Sequence, residues 1–294
     1  MPSEKEVGFY LPCPVFDTHF HALQMKNKGA DLDSILIRAF NDKLVAALDV
    51  AIDEKFFSWR CKLADRFANL YLSAGIHPSS VGGESTLAAK SQHRGDMPSS
   101  IEGINRTDWD SRFEKIRTQC MHPAVIAIGE TGLDFYRNYS PREYQELVFR
   151  YHLELAVETG LPVIVHNRNA DERLLEIIGS TACNYGVFHC FSSNWETAKA
   201  ALDLGYYISF AGNLSYKHAD EIRRAALRIP QDKLLIETDS PYLSPLPVRG
   251  KANHPGHIGY TLETLAELRK EDIEGLAGSL VKNASVLFGL METP

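Results

Sequence analysis

Eight short apolar runs recur along the chain, each closing on a polar residue and each followed by a longer stretch with helical spacing. They are VFDTH (15–19), LVAALDVAI (44–52), LYLSAGIH (70–77), AVIAIGE (124–130), LPVIVH (161–166), GVFHC (186–190), YYISFAG (206–212) and LLIETD (234–239). Runs of this length and composition predict buried strands. Between them, YQELVFRYHLELAVETG (144–160) places Leu147, Tyr151, Leu155 and Ala156 at helical spacing before a Gly stop. Ser140 and Pro141 ahead of it read as N-cap and first helical residue. NWETAKAALDLG (194–205) opens on an Asn cap and closes on Gly. Strands alternating with helices imply a parallel α/β sheet. Eight such units fit a single (β/α)8 TIM-type barrel, with a doubly wound open sheet as the alternative.

The polar residues that end the strands decide between the two. His19, His21, His77, Glu130, His166, His189 and Asp239 all fall at or just past a predicted strand's C-terminal end. A barrel converges these ends on one mouth, whereas an open sheet spreads them along an edge. One segment breaks the rhythm. Residues 79–111 are polar and rich in Gly and Ser, too long for a routine βα loop, and read as an insertion over the mouth, either a lid or a decorated loop. No repeat or linker divides residues 1–294, which are read as one domain.

Composition narrows the functional classes. Hydrophobic residues make up 44% and charged residues 23%, as in ordinary globular proteins, and the net charge is −7. That balance argues against a broad basic footprint for duplex DNA and leaves room for a local phosphate site. Five cysteines, an odd number without a CxxC pair, suit a reducing compartment. The N-terminal residues lack a secretory pattern and no apolar run reaches membrane-spanning length, so the expectation is a cytoplasmic protein with no membrane association. Nothing in the sequence calls for an obligate protein partner.

The chemistry begins at FDTHFHA (16–22). On a strand, residues i and i+2 share a face, so His19 and His21 can grip one ion. Glu130 in IGETGLD (128–134) can bridge two ions with its two oxygens. His166 and His189 end two further strands, and Asp239 follows the last. Left unpaired, so many buried polar groups would be costly; two divalent cations satisfy them all. The expected grouping is His19, His21, Glu130 and Asp239 around one ion, and Glu130, His166 and His189 around the second. The ions would sit ~3.5–4 Å apart and activate a water whose proton Asp239 accepts, giving metal-assisted hydrolysis with Glu130 and Asp239 at its centre. Ligand softness favours Zn²⁺ or Mn²⁺. Cys190, next to His189, is expected to point away as core.

Two features point to phosphate. His77 in AGIHP is left outside the ion shells, positioned to donate to a substrate oxygen or to the leaving group. Arg168, two residues past His166, can clamp a phosphate with two hydrogen bonds, or else pair with Asp171 or Glu172. Arg137, Arg249 and Lys251 extend a positive rim, and Tyr136, Phe191, Tyr216 and Tyr242 offer rings for stacking on bases.

Taken in order, DTHFH, GIHP, IGETGLD, PVIVHNR, FHCFS and ETDSPYL resemble the motifs of the TatD family of metal-dependent deoxyribonucleases, amidohydrolase-like barrels, from Phe16 to about Leu290. The resemblance implies metal ligands at His19, His21, Glu130, His166, His189 and Asp239. It also implies Mg²⁺ as a further candidate ion, and a 3'→5' exonuclease or related phosphodiesterase activity on DNA. Asn253 falls in the late motif K-R-N-x-P, implying a place in substrate binding; here the stretch reads KANHP, with Ala252 where the basic residue usually stands. Other ester or C–N hydrolases, aminoacyl-tRNA esterases among them, share such barrels, and a scaffold without turnover is the remaining alternative.

Overall fold

The computed structural model describes residues 8–82 and 106–290. Its eight strands are β1 (Val15–Phe20), β2 (Leu44–Asp49), β3 (Leu70–Ala74), β4 (Val125–Asp134), β5 (Val163–Arg168), β6 (Gly186–Phe188), β7 (Tyr207–Phe210) and β8 (Leu234–Ile236). They form one sheet in sequence order, every neighbour pair parallel. The ends of that sheet meet. Phe20 bridges Ser240, Asp239 N–H donates to His19 O at 2.9 Å, and His21 N–H donates to Ser240 O at 2.8 Å. This closure makes a TIM-type barrel and removes the open-sheet alternative.

The helices are α1 (Ala22–Asn27), α2 (Leu32–Asn41), α3 (Phe57–Ala64), α4 (Arg106–Cys120), α5 (Arg142–Thr159), α6 (Asp171–Gly179), α7 (Trp195–Asp203), α8 (Asp220–Ala226), α9 (Ile258–Arg269) and α10 (Ile273–Leu287). Local chemistry explains their ends. Asp31, Asn194 and Asp272 cap α2, α7 and α10 by accepting from Ser34, Thr197 and Gly275 N–H. Gly160 ends α5 at φ +72°, a left-handed position that a glycine takes without strain. Two expectations for α5 are corrected. Pro141, not Ser140, is the cap residue; the Ser140 hydroxyl instead accepts from Gly82 N–H at 3.1 Å. Leu147 is 49% exposed, and the inward face is carried by Val148, Phe149, His152, Leu153, Leu155 and Ala156. The predicted insertion at 79–111 falls largely on residues 83–105, outside those described; from Arg106 onward the chain is α4 rather than loop.

Two apolar clusters hold the molecule. The larger fills the layer between strands and helices. The smaller fills the barrel interior, with Phe16, Leu48, Ile126, Ile164, Val187, Tyr207 and Leu235 entering from seven strands. Ala284, Leu287 and Phe288, from the end of α10, join the same cluster, beside Phe16, four residues before the strand's mouth end. The interior is therefore a packed core, and the strands' C-terminal ends are left to carry polar groups.

Candidate metal centre

β1 delivers the first two imidazoles by an irregular route. Its register with β2 shifts between Asp17 and Phe20, and the strand stops at Phe20, so His21 lies just past it. The expected convergence still occurs: His19 Nε2 and His21 Nε2 stand 3.2 Å apart. Asp17, also buried, ties this end to the opposite side of the seam, accepting from Thr238 N–H at 2.9 Å and the Thr238 hydroxyl at 2.6 Å. Burial, with Glu237 nearby, pushes its carboxyl up to about 7 against the Thr238 hydrogen bonds.

Glu130 lies inside β4, not at its end, after Gly129 at φ +138°. Its two oxygens face two groups of imidazoles. Oε2 is 3.5 Å from His19 Nε2 and 3.6 Å from His21 Nε2. Oε1 is 2.6 Å from His166 Nδ1, 2.7 Å from His189 Nε2 and 3.5 Å from His77 Nε2. Asp239, in a left-handed conformation at φ +53°, brings Oδ1 to 3.4 Å from His21 Nε2 and 3.9 Å from His19 Nε2. The rings of His19 and His189 stack at 4.0 Å. Thus the six sequence-predicted ligand residues converge, together with His77, which also groups with Glu130 and His166 within one ion's reach.

The electrostatics follow from burial and crowding. Burial pushes Glu130's carboxyl up, but His189, His77 and His166 outweigh it and hold it well below the carboxylate range. Burial disfavours charge on His189, yet Glu130 and Glu237 carry it well above the usual imidazole value. His19 goes the other way: burial and neighbouring His189 lower it. A buried ring of imidazole nitrogens aimed at one another and at shared carboxylates is a donor set that suits borderline divalent cations. His19 Nδ1, buried, has no hydrogen-bond partner among the described residues.

His77 differs from the others. Ser79 N–H donates to its Nδ1 at 2.9 Å, and the Ser79 hydroxyl lies 2.7 Å from the same atom. Burial, with His166, His21 and His189 nearby, pushes its pKa down to about 3 despite Glu130. His77 is therefore neutral at pH 7 with its hydrogen on Nε2, facing the cleft.

Two carboxylates absent from the expected set sit behind the imidazoles. His189 Nδ1 donates to Glu237 Oε1 at 3.2 Å, and Asp134 Oδ2 is 3.5 Å from His166 Nε2. Each is a second acid in a quoted motif, Glu237 two residues before Asp239 and Asp134 four after Glu130. That spacing was the available signal.

The cluster floors a cavity of about 640 Å³ that Lys28, Arg137 and Arg168 also line. Arg168 does not take the ion-pair alternative. Asp171 is held by Asn167, Ser193 and Thr197, and the Arg168 guanidinium stacks 4.4 Å over the ring of Tyr136. Tyr136 and Tyr242 are exposed at the mouth, whereas Phe191 is 2% exposed and belongs to the core, contrary to expectation. Tyr216 and Arg249 line a neighbouring cavity, and Lys251 lines neither. Asn253 also departs from its expected place. It is buried, its Nδ2 donates to Thr238 O and Tyr242 O, and its Oδ1 accepts from His254 N–H, so it braces the β8 loop instead of facing the cleft. Cys190 is corrected too: β6 ends at Phe188, Cys190 adopts φ +46°, and it lines the cavity.

The whole chain has counterparts of the same build. A family model described as TatD-related DNase matches residues 16–289. YabD of Bacillus subtilis, an uncharacterised metal-dependent hydrolase, is 33% identical over 277 residues, 93% of this chain and 98% of YabD. The 3'-5' ssDNA/RNA exonuclease TatD of Shigella flexneri is 31% identical over 268 residues, 88% of this chain and 94% of that one. The crystal structure of YjjV, a TatD homolog from Escherichia coli, superposes with a TM-score of 0.78 at 26% identity, covering 96% of this chain and 99% of YjjV.

Proposed function

The chain belongs to the TatD-related DNase family of metal-dependent hydrolases, and from that premise we propose that it is a two-cation phosphodiesterase acting on DNA, as a 3'→5' exonuclease or a close relative. The observation that carries this reading is the divided environment of Glu130, one oxygen toward His19 and His21, the other toward His166 and His189. A carboxylate so placed can serve two cations at once. His19, His21 and Asp239 complete one set, and His166 and His189 the other. Bound there, the cations supply charge neutralisation at a phosphoryl oxygen and activation of water near neutral pH. An imidazole-rich set favours Zn²⁺ or Mn²⁺ over Mg²⁺.

The chain's own groups supply the rest. Arg168 has its guanidinium held flat by Tyr136 and can present two N–H groups to a phosphate. His77, neutral and protonated on Nε2, donates to a substrate oxygen or to the departing one. Asp239, partly open to the cleft, is placed to accept a proton from water.

Protein purified without added metal is expected to carry close to two equivalents of divalent ion, and chelated protein to regain hydrolysis of a single-stranded oligonucleotide on readdition of Zn²⁺ or Mn²⁺. Glu130→Ala should lose at least 100-fold in kcat/KM and most of its metal, with the far-UV circular dichroism of the parent. Retained oligonucleotide hydrolysis in that variant, or wild-type turnover confined to carboxyl ester or cyclic amide substrates, overturns the proposal.

A further inference from the structure

Next to the metal-ligand cleft lies a second cavity of about 490 Å³, and the two share one residue, Asn213. Asn213 stands in the single-turn helix Gly212–Ser215 that follows β7. It is 8% exposed, and its buried Oδ1 has no hydrogen-bond partner among the described residues. Beyond Asn213 the second cavity is lined by Tyr216, Lys217, His218 and Arg249, with no carboxylate in its wall. In a chain of net charge −7 this is a local reversal of sign. The adjacent acids of α8 do not cancel it, because Asp220 pairs with Arg223 and Glu221 with Arg224. Lys217, His218 and Arg249 have no carboxylate ion pair among the described residues.

The wall is also fixed in shape. The Arg249 guanidinium lies 4.1 Å over the Tyr216 ring, and the Tyr216 hydroxyl donates to Ser244 O at 3.0 Å. Arg223 pins the backbone beneath, donating to Leu214 O, Tyr216 O and Lys217 O. The result is a held aromatic surface flanked by Lys217 and Arg249, in a cavity that shares Asn213 with the cleft. Cations along a groove with an aromatic face are what the backbone and bases of a single strand require.

We infer that this cavity is a second subsite, which holds the phosphate and base of a nucleotide lying away from the scissile bond. It rests on the phosphodiester reading above and adds that the enzyme measures length: a strand reaching past the cleft gains contacts that a dinucleotide cannot make. Lys217 and Arg249 take phosphate oxygens, Tyr216 provides the apolar surface, and Asn213 stands between the two subsites.

Lys217 and Arg249 are exposed, so the double variant Lys217→Gln/Arg249→Gln should keep the parental fold. Two readouts separate the inference from its premise: fluorescence anisotropy of a labelled single-stranded 12-mer against salt concentration, and kcat/KM on a dinucleotide and on the 12-mer. The expected result is about tenfold weaker 12-mer binding at low salt and a fall of about 1.4 in the slope of log K against log salt, for two phosphates at ~0.7 each. The 12-mer kcat/KM should fall by a similar factor while the dinucleotide value stays within twofold of wild type. An unchanged slope, or equal losses on both substrates, overturns the subsite. Wild type that binds the 12-mer but cleaves no phosphodiester overturns the activity reading alone, and the slope still decides the subsite. Wild type that does not bind the 12-mer overturns both.

Discussion

At the scale of single residues, the site depends on how each imidazole is held from behind. His189 donates through Nδ1 to Glu237 and so turns its other nitrogen toward Glu130. A carboxylate in that position fixes the tautomer and raises the basicity of the ring. Glu237→Gln is expected to weaken divalent-ion affinity by about 10–100-fold, read by competition with a chromogenic chelator, while leaving the melting temperature of the metal-free protein within a few degrees. The six proposed ligand residues were legible in the sequence because each ends or follows an apolar run, and strand geometry then brings them together. Glu237 and Asp134 are marked only by their spacing from Asp239 and Glu130, because a carboxylate behind an imidazole leaves no hydrophobic period of its own. Cys190 departs from expectation for a related reason. Parity along a strand holds only while the strand lasts, and β6 stops two residues earlier. Asn253 shows the limit of motif transfer, since its amide is spent on backbone carbonyls.

At the scale of elements, β4 and β5 approach each other with little tolerance. Gly132, at φ +138°, lies where an added Cβ would strike the carbonyl oxygen of His166. Gly132→Ala combines a strained backbone with displacement of a proposed ligand strand, and should cost at least ~2 kcal/mol, seen as a lower urea midpoint. Gly278 in α10 offers the contrasting case: its Cβ would meet nothing within 4 Å, and Gly278→Ala should stabilise by roughly 0.5–1 kcal/mol. Elements of this kind were readable in outline. All eight strands stand where apolar runs predicted them, and the α5 stripe holds at Tyr151, Leu155 and Ala156 but fails at Leu147, which satisfies the spacing yet faces solvent. Spacing alone fixes a period and leaves its phase open, which only the packing partner decides.

At the scale of the whole molecule, neutral buried histidines make the fold sensitive to acid. His152 on α5 donates from Nδ1 to Val148 O at 2.7 Å and accepts from Ile76 N–H at 3.1 Å, which leaves no place for a second ring proton. Burial pushes it down to about 4, His254 to about 4 and His257 to about 3. Each binds fewer protons folded than unfolded, so the stability they contribute is complete above pH 6.5 and is lost as pH falls through 4. His152 alone accounts for roughly 3 kcal/mol of that range. Urea unfolding from pH 7 to 4 should show a falling free energy, with a shallower fall in His152→Gln; identical slopes would refute the assignment. The barrel itself was legible because its strand-end residues needed a common mouth, and the seam that supplies it joins the chain's first strand to its last. That seam has a temporal consequence. A chain emerging from the ribosome presents His19 and His21 long before Asp239, so the group that joins those two imidazoles to Asp239 closes only when the final strand has docked against the first.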